Sequence, residues 1–219
     1  MKNYADKQKL ILNQITNKCF QGHNFSGYDL SEIDLKGLDL SGFNFIGADL
    51  RGTNLSGSIL TRANLSGANL MEANLYKANL YEASLCEANL INADLSQANL
   101  CGSFLWRVKL IGSKLWGTSL CAADLSEADL TEATLIEASL IEANLVRANL
   151  TKAKLCGAIL LETNLSEANL TSSDLTWANL TKTNLSKANL YQTNLIYAKL
   201  RDTIMPDGTI KEPQIIISY

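Results

Sequence analysis

Leucine stands at every fifth position from residue 30 to residue 200, broken once by Phe45 and preceded in phase by Phe25, which makes 36 consecutive repeats with no insertion. Two residues before each of these large apolar positions the residue is usually Ala, otherwise mostly Ser or Thr. One residue before, it is usually Asn or Asp. The consensus A(N/D)Lxx reads clearly in ANLSG, ANLYK, ADLSE and ANLVR. A period of five excludes an amphipathic helix. At about 3.6 residues per turn the leucines would spiral over the whole helix surface. Positions two apart do share one face of an extended segment, so Ala and Leu point inward and the Asn or Asp between them points outward. The remaining two residues can turn a corner. Extended segments and corners repeated in one sense build a solenoid filled by one Leu and one small residue per repeat.

The repeat resembles the pentapeptide-repeat family over residues 21 to 200. The resemblance implies an all-β fold, a right-handed quadrilateral β-helix with four repeats per coil. Thirty-six repeats would then make about nine coils, a rod roughly 43 Å long at about 4.8 Å between stacked strands. Residues twenty apart support four-sided coils. Glu87, Arg107, Glu127, Arg147, Glu167 and Lys187 alternate in sign at that lag. Phe25 with Phe45, Cys101 with Cys121, and Trp177 with Tyr197 would stack as well.

Three segments are expected: an N-terminal cap helix over 1–20, the repeat body over 21–200 and a C-terminal cap over 201–219. In the first, Ile11, Leu12, Ile15 and Cys19 have helical spacing. In the last, Pro206-Asp207-Gly208 signals a turn, and Ile215, Ile216 and Ile217 form an apolar, strand-like tail. An open coil invites end-to-end pairing, so caps are needed and the expected state is a monomer or an end-to-end dimer. His23, Tyr28, Ile33, Leu38 and Phe43 stand where Ala is usual, which predicts a wider or looser first end, partly filled by these side chains. His23, the one histidine, is expected to be a core or cap residue.

Composition narrows the function. Net charge is −3 with a pI near 5.3, which excludes a strongly basic nucleic-acid binder. The five cysteines, at 19, 86, 101, 121 and 156, are odd in number and form no CxxC pair, so free thiols in a reducing, cytoplasmic setting are expected. No run approaches the roughly 18 apolar residues of a membrane span, and residues 1–20 lack the apolar run of a secretory signal. No Ser-His-Asp set, phosphate loop or metal-ligand cluster is present, so neither an enzyme nor a cofactor or metal site is expected.

The expected role is therefore non-catalytic, a scaffold or regulator that binds a protein partner along the side of the rod. The residue after Leu is often apolar mid-chain. At lag 20, Tyr81, Cys101, Cys121, Ile141 and Leu161 form one column, read either as a partner site or as ladder packing. Residues 101–120 keep every Leu and lose every Asn or Asp before it, placing Phe104 and Trp106 outward on one face with Ser84, Asp124, Cys86 and Ser126 as neighbours, a candidate contact. Its basic residues have acids one coil away: Arg107 lies between Glu87 and Glu127, Lys109 beside Asp129 and Lys114 beside Asp94. The resemblance adds two candidate roles, regulation of heterocyst differentiation in cyanobacteria and DNA mimicry that inhibits or protects a type II topoisomerase. The acidic residues Asp124, Glu127, Asp129, Glu132 and Glu137 bear on the second role.

Overall fold

The computed structural model describes residues 11, 13, 15 and 23–211. Its unit is the five-residue repeat. Each repeat contributes one short extended segment, and each Asn or Asp position forms a parallel bridge to the residue twenty places on, from Asn24↔Asn44 to Asn184↔Ile204. Four segments and four corners thus complete a coil. The hydrogen bonds between coils run both ways from each segment. Leu120 N–H donates to Ser139 O at 2.7 Å, and Asn144 N–H donates to Ala123 O at 2.9 Å.

The corners are β-turns. Leu70 C=O accepts from Ala73 N–H at 3.0 Å across Met71 and Glu72, and Glu72 has φ 59°. A positive φ at the third residue defines a type II turn, which ordinarily takes glycine there. Here every fifth residue from Gly27 to Asp202 has positive φ, yet most are Glu, Lys, Arg or Gln. The left-handed conformation costs roughly 1–2 kcal/mol for a residue with a Cβ. Against that cost, these corners from Gly27 to Lys187 donate their N–H to the next coil, as Glu72 does to Ile91 O at 3.0 Å.

The Asn and Asp side chains hold the corners as well as facing out. Asn74 Oδ1 accepts from Tyr76 N–H at 3.0 Å, and Asp94 Oδ1 accepts from Ser96 N–H at 3.0 Å. These are Asx turns, which short side-chain carbonyls form with the amide two residues on. Several also ladder between coils, such as Asn99 Nδ2 donating to Asn79 Oδ1 at 3.0 Å. Asn74→Ala is expected to cost about 1 kcal/mol, the net worth of one such bond. Urea unfolding measures it, and an unchanged midpoint would contradict the Asx assignment.

The core is the stacked Leu and Ala columns, with Leu30 to Leu185 buried without a break. Where Ser or Thr replaces Ala, its hydroxyl finds a carbonyl. Thr163 Oγ1 donates to Leu140 O of the preceding coil at 2.6 Å, and Ser103 Oγ donates to Leu100 O at 2.6 Å. A buried hydroxyl is tolerated because it is paired.

The first coil differs as the large residues foretell, though they do not all fill it. Ile33 and Phe43 are buried, Leu38 is half-buried, and Tyr28 and His23 are exposed. His23 stacks on Phe43 with centroids 4.3 Å apart, and Phe25, Phe43 and Phe45 form a stacked aromatic group. Ile11, Asn13 and Ile15 have helical backbone, Ile11 is buried in the core cluster and Ile15 packs against it. Leu12 and Cys19 lie outside the described residues. At the other end the ladder continues past residue 200 to Ile204. Strand β1 (Thr203–Ile204) pairs antiparallel with β2 (Ile210–Lys211) around the turn at Pro206-Asp207-Gly208. Ile215–Ile217 also lie outside the described residues.

Candidate functional site

The four faces of the rod can be labelled by their outward residues in the coil 101–120: Phe104 on face A, Lys109 on face B, Lys114 on face C and Ser119 on face D. Tyr81, Cys101, Cys121, Ile141 and Leu161 stack on the corner between D and A. Corner bonds join them, including Gly102 N–H to Cys121 O at 2.8 Å and Ala122 N–H to Ile141 O at 2.8 Å. Tyr81 is 39% exposed and the other four are half-buried, each packing on its stacked neighbours while leaving a part of its side chain at the surface.

Phe104 lies on the adjoining face A, 53% exposed, between Ser84 and Asp124. Trp106 occupies the far corner of that face. It is half-buried because the Arg107 guanidinium lies over its ring at 4.4 Å. The structure thus brings the seven sequence-selected residues onto one face and its two corners.

The charge ladder forms in one direction only. Arg107 bonds Glu127 at 2.7 Å and Arg147 bonds Glu167 at 2.9 Å, while among the described residues no ion pair joins Glu87 to Arg107 or Glu127 to Arg147. Lys109 and Lys114 bridge to Asp129 and Asp94 through the backbone but form no ion pair with them. One oxygen of each carboxylate serves its own corner. Asp129 Oδ1 accepts from the Thr131 N–H and hydroxyl and from Asn149 Nδ2, and Asp94 Oδ1 accepts from Ser96 N–H. Lys109 and Lys114 are therefore exposed, unneutralised cations.

Hydrogen bonding depresses some acids. The Ser41 hydroxyl and amide hold the Asp39 carboxyl below its ordinary value, and the Arg51 guanidinium does the same for Asp49. Because these groups titrate lower folded than unfolded, their contribution is complete above the ordinary carboxylate range near pH 4 and is lost as pH falls through the lowered folded values. Thermal melts are expected to show lower stability at pH 3 than at pH 7, with Asp39→Asn lessening the difference. Equal melts for the parent protein at both pH values would contradict this.

Burial pushes the Cys101 thiol up, against a hydrogen bond to the Cys121 backbone that favours the thiolate. Cys86, Cys101, Cys121 and Cys156 are free. A raised thiol pKa disfavours the reactive thiolate. No group of three or more metal-ligating side chains occurs among the described residues.

Sequence reasoning missed the other side of face D. Trp116, Ile136 and Cys156 stack on the corner between C and D, tied by Gly117 N–H to Ile136 O at 3.0 Å and Glu137 N–H to Cys156 O at 3.0 Å. With Ile159 between the columns, face D carries an apolar surface from Trp116 to Leu161. The signal was present as the loss of Asn or Asp at 114, 119, 134, 139, 154 and 159, in pairs twenty residues apart. The acidic set Asp124, Glu127, Asp129, Glu132 and Glu137 forms a girdle around one coil, since each step along it moves to the next face or corner.

A regular Leu-Ala ladder with lag-20 bridges defines a β-solenoid, and comparison with known proteins identifies the family. The pentapeptide-repeat model matches eight copies spanning residues 29–206, so the chain belongs to the pentapeptide-repeat family, whose fold is the right-handed quadrilateral β-helix. Among solved structures it is similar to HetL of the cyanobacterium Nostoc, a pentapeptide-repeat protein involved in heterocyst differentiation regulation. Identity is 35%, covering 92% of this chain and 98% of that one, with a TM-score of 0.35. A thylakoid-lumen pentapeptide-repeat protein of Arabidopsis thaliana is 38% identical over 45% of this chain and 68% of its own, with a TM-score of 0.44. QnrB1, a plasmid-mediated fluoroquinolone resistance protein, is 21% identical over 83% and 91%, with a TM-score of 0.48. No curated protein matches the chain. Among the described residues no helix is long and apolar enough to cross a membrane.

Proposed function

We propose that the protein is a non-catalytic, cytoplasmic interaction module that binds a protein partner along the side of a rod of about nine coils. The proposed organisation is a cap over 1–20, the repeat body over 21–200 and a cap over 201–219. One observation carries the reading: the partly exposed apolar column Tyr81, Cys101, Cys121, Ile141 and Leu161, flanked by Phe104 and Trp106. Surface apolar residues scattered singly need no explanation, whereas a contiguous column continued onto neighbouring faces marks an interaction surface. The process proposed is that of the Nostoc relative, regulation of heterocyst differentiation, on 35% identity across nearly all of that chain.

Capture from a native host, with the parent protein and with a Tyr81→Ser, Ile141→Ser, Leu161→Ser variant, tests this. A partner retained by the parent and lost by the folded variant is expected. If every captured protein is indifferent to the three changes, the side-binding reading fails. DNA mimicry of a type II topoisomerase substrate is the second reading. The acids ring one coil instead of running along the rod, and Lys109, Lys114 and Lys154 interrupt the long faces. A supercoiling assay with micromolar protein is expected to show no effect.

A further inference from the structure

The apolar surface of face D coincides with a local loss of corner hydrogen bonds. Among the described residues the N–H groups of Trp116, Cys121, Ile136, Ile141, Cys156 and Leu161 have no protein acceptor. The residues two places before them are Lys114, Ser119, Thr134, Ser139, Lys154 and Ile159, none of them Asn or Asp. Faces A and B of the next coils keep the Asx bond, at Ser126, Thr131, Val146 and Thr151. The first of these three coils loses the fold's own stabilising device on all four faces, and the next two give it up on faces C and D while keeping it on A and B. In its place stand Trp116 and Ile159, 43% and 39% exposed, with half-buried Ile136, Cys156, Cys121, Ile141 and Leu161. Giving up stability at a set of contiguous positions marks a surface held for another purpose.

The borders of this surface have opposite charge. Lys114 and Lys154 lie along face C, exposed and outside any ion pair among the described residues. Glu142 and Glu162 lie along the corner with face A, Glu162 bonding Lys182 at 2.9 Å. Glu137 is the one acid at the face C corner. From the first of the three coils to the last is roughly 10 Å at about 4.8 Å per coil, close to two turns of an α-helix at about 5.4 Å each.

We propose that face D between residues 114 and 162 seats an amphipathic α-helix of a protein partner along the rod axis. Its apolar stripe covers Trp116, Ile136, Ile141, Ile159 and Leu161, its acidic border meets Lys114 and Lys154, and its basic border meets Glu142 and Glu162. The opposed borders fix the direction of the helix as well as its position, because reversing it would oppose like charges. This deepens the side-binding reading and rests on it.

The test uses the full chain with Trp106→Phe and Trp177→Phe, so that Trp116 fluorescence alone reports. Three tryptophan-free helical peptides share one Leu stripe. One carries Glu along one border and Lys along the other, one carries Lys on both and one carries Glu on both. The mixed peptide is expected to bind at least tenfold more tightly than either control. Ser139→Asn with Ile159→Asn, which restores two corner bonds, is expected to raise Tm by about 2–4 °C and weaken the mixed peptide at least tenfold. Equal affinities for the three peptides, no binding at millimolar peptide, or undiminished binding to the restored variant would overturn the proposal. A host partner that needs Tyr81 and Ile141 but ignores Ile159→Asn would overturn this site while leaving the side-binding reading standing. A host partner indifferent to all of these changes would overturn both.

Discussion

Leu140→Ala is expected to destabilise the fold by about 2–5 kcal/mol, the transfer and cavity cost of emptying one fully buried leucine site. Leu140 has no solvent exposure, and Leu120 and Leu160 stand one coil away on either side. Its backbone bonds do not depend on its side chain. Its N–H donates to Ile159 O at 2.7 Å, and its C=O accepts from Ala143 N–H at 3.0 Å and Thr163 Oγ1 at 2.6 Å. The variant therefore removes packing and leaves the ladder in place. The cavity cannot collapse readily, because the coils above and below fix the spacing. Urea unfolding at neutral pH measures the loss, and a change below about 1 kcal/mol would mean that the leucine column is not the main support. A solenoid is stabilised chiefly by contacts between adjacent coils, so the same change at Leu190 is expected to cost less. Leu190, in the last coil, is only half-buried.

The opposite error should also be costly. Ala143→Leu is expected to lose about 1–3 kcal/mol from overpacking, since Ala143 is buried at a position where the wall turns toward the core. Ala143→Thr separates size from shape. Threonine already occupies this place in other coils by donating to the leucine carbonyl 23 residues back, as Thr163 and Thr183 do at 2.6 Å. At 143 that carbonyl belongs to Leu120. The expected order of stability is Ala, then Thr close behind, then Leu well below. Equal tolerance of Leu and Thr would show that the wall is looser than its burial implies.

Much of the architecture was legible because a period of five has few physical solutions. Leu and Ala two apart fix which side is inside, the missing Asn at 104, 109, 114 and 119 marks one whole coil as altered, and lag-20 pairs such as Trp177 and Tyr197 stack with centroids 4.4 Å apart. The seven selected site residues also fall on one face and its two corners. Their neighbours across face D did not emerge. A column at lag 20 shows stacking along the rod, while Trp116 and Cys121 become partners across a face only when both corners are drawn around the same segment.

The lysines show the limit from the other side. Charge and lag placed Lys109 beside Asp129 and Lys114 beside Asp94, and the backbone puts them there. Proximity did not become pairing: Asp129 and Asp94 bond the amides of their own corners, and neither forms an ion pair with its lysine. A long, solvated lysine gains little by giving up its freedom, since exposed pairs are worth only about 0–1 kcal/mol.

By itself the sequence determined the inside of this protein: the solenoid, the leucine and alanine columns, the placement of corners and the four-sided coil. Those follow from residue size and period, which act through one repeat at a time. Tertiary structure alone decided much of the outside: which charges pair, and that two apolar columns, each advancing twenty residues per coil, border one face. Those depend on competition between neighbours in successive coils, and a hydrogen bond made in one coil removes a partner from the next.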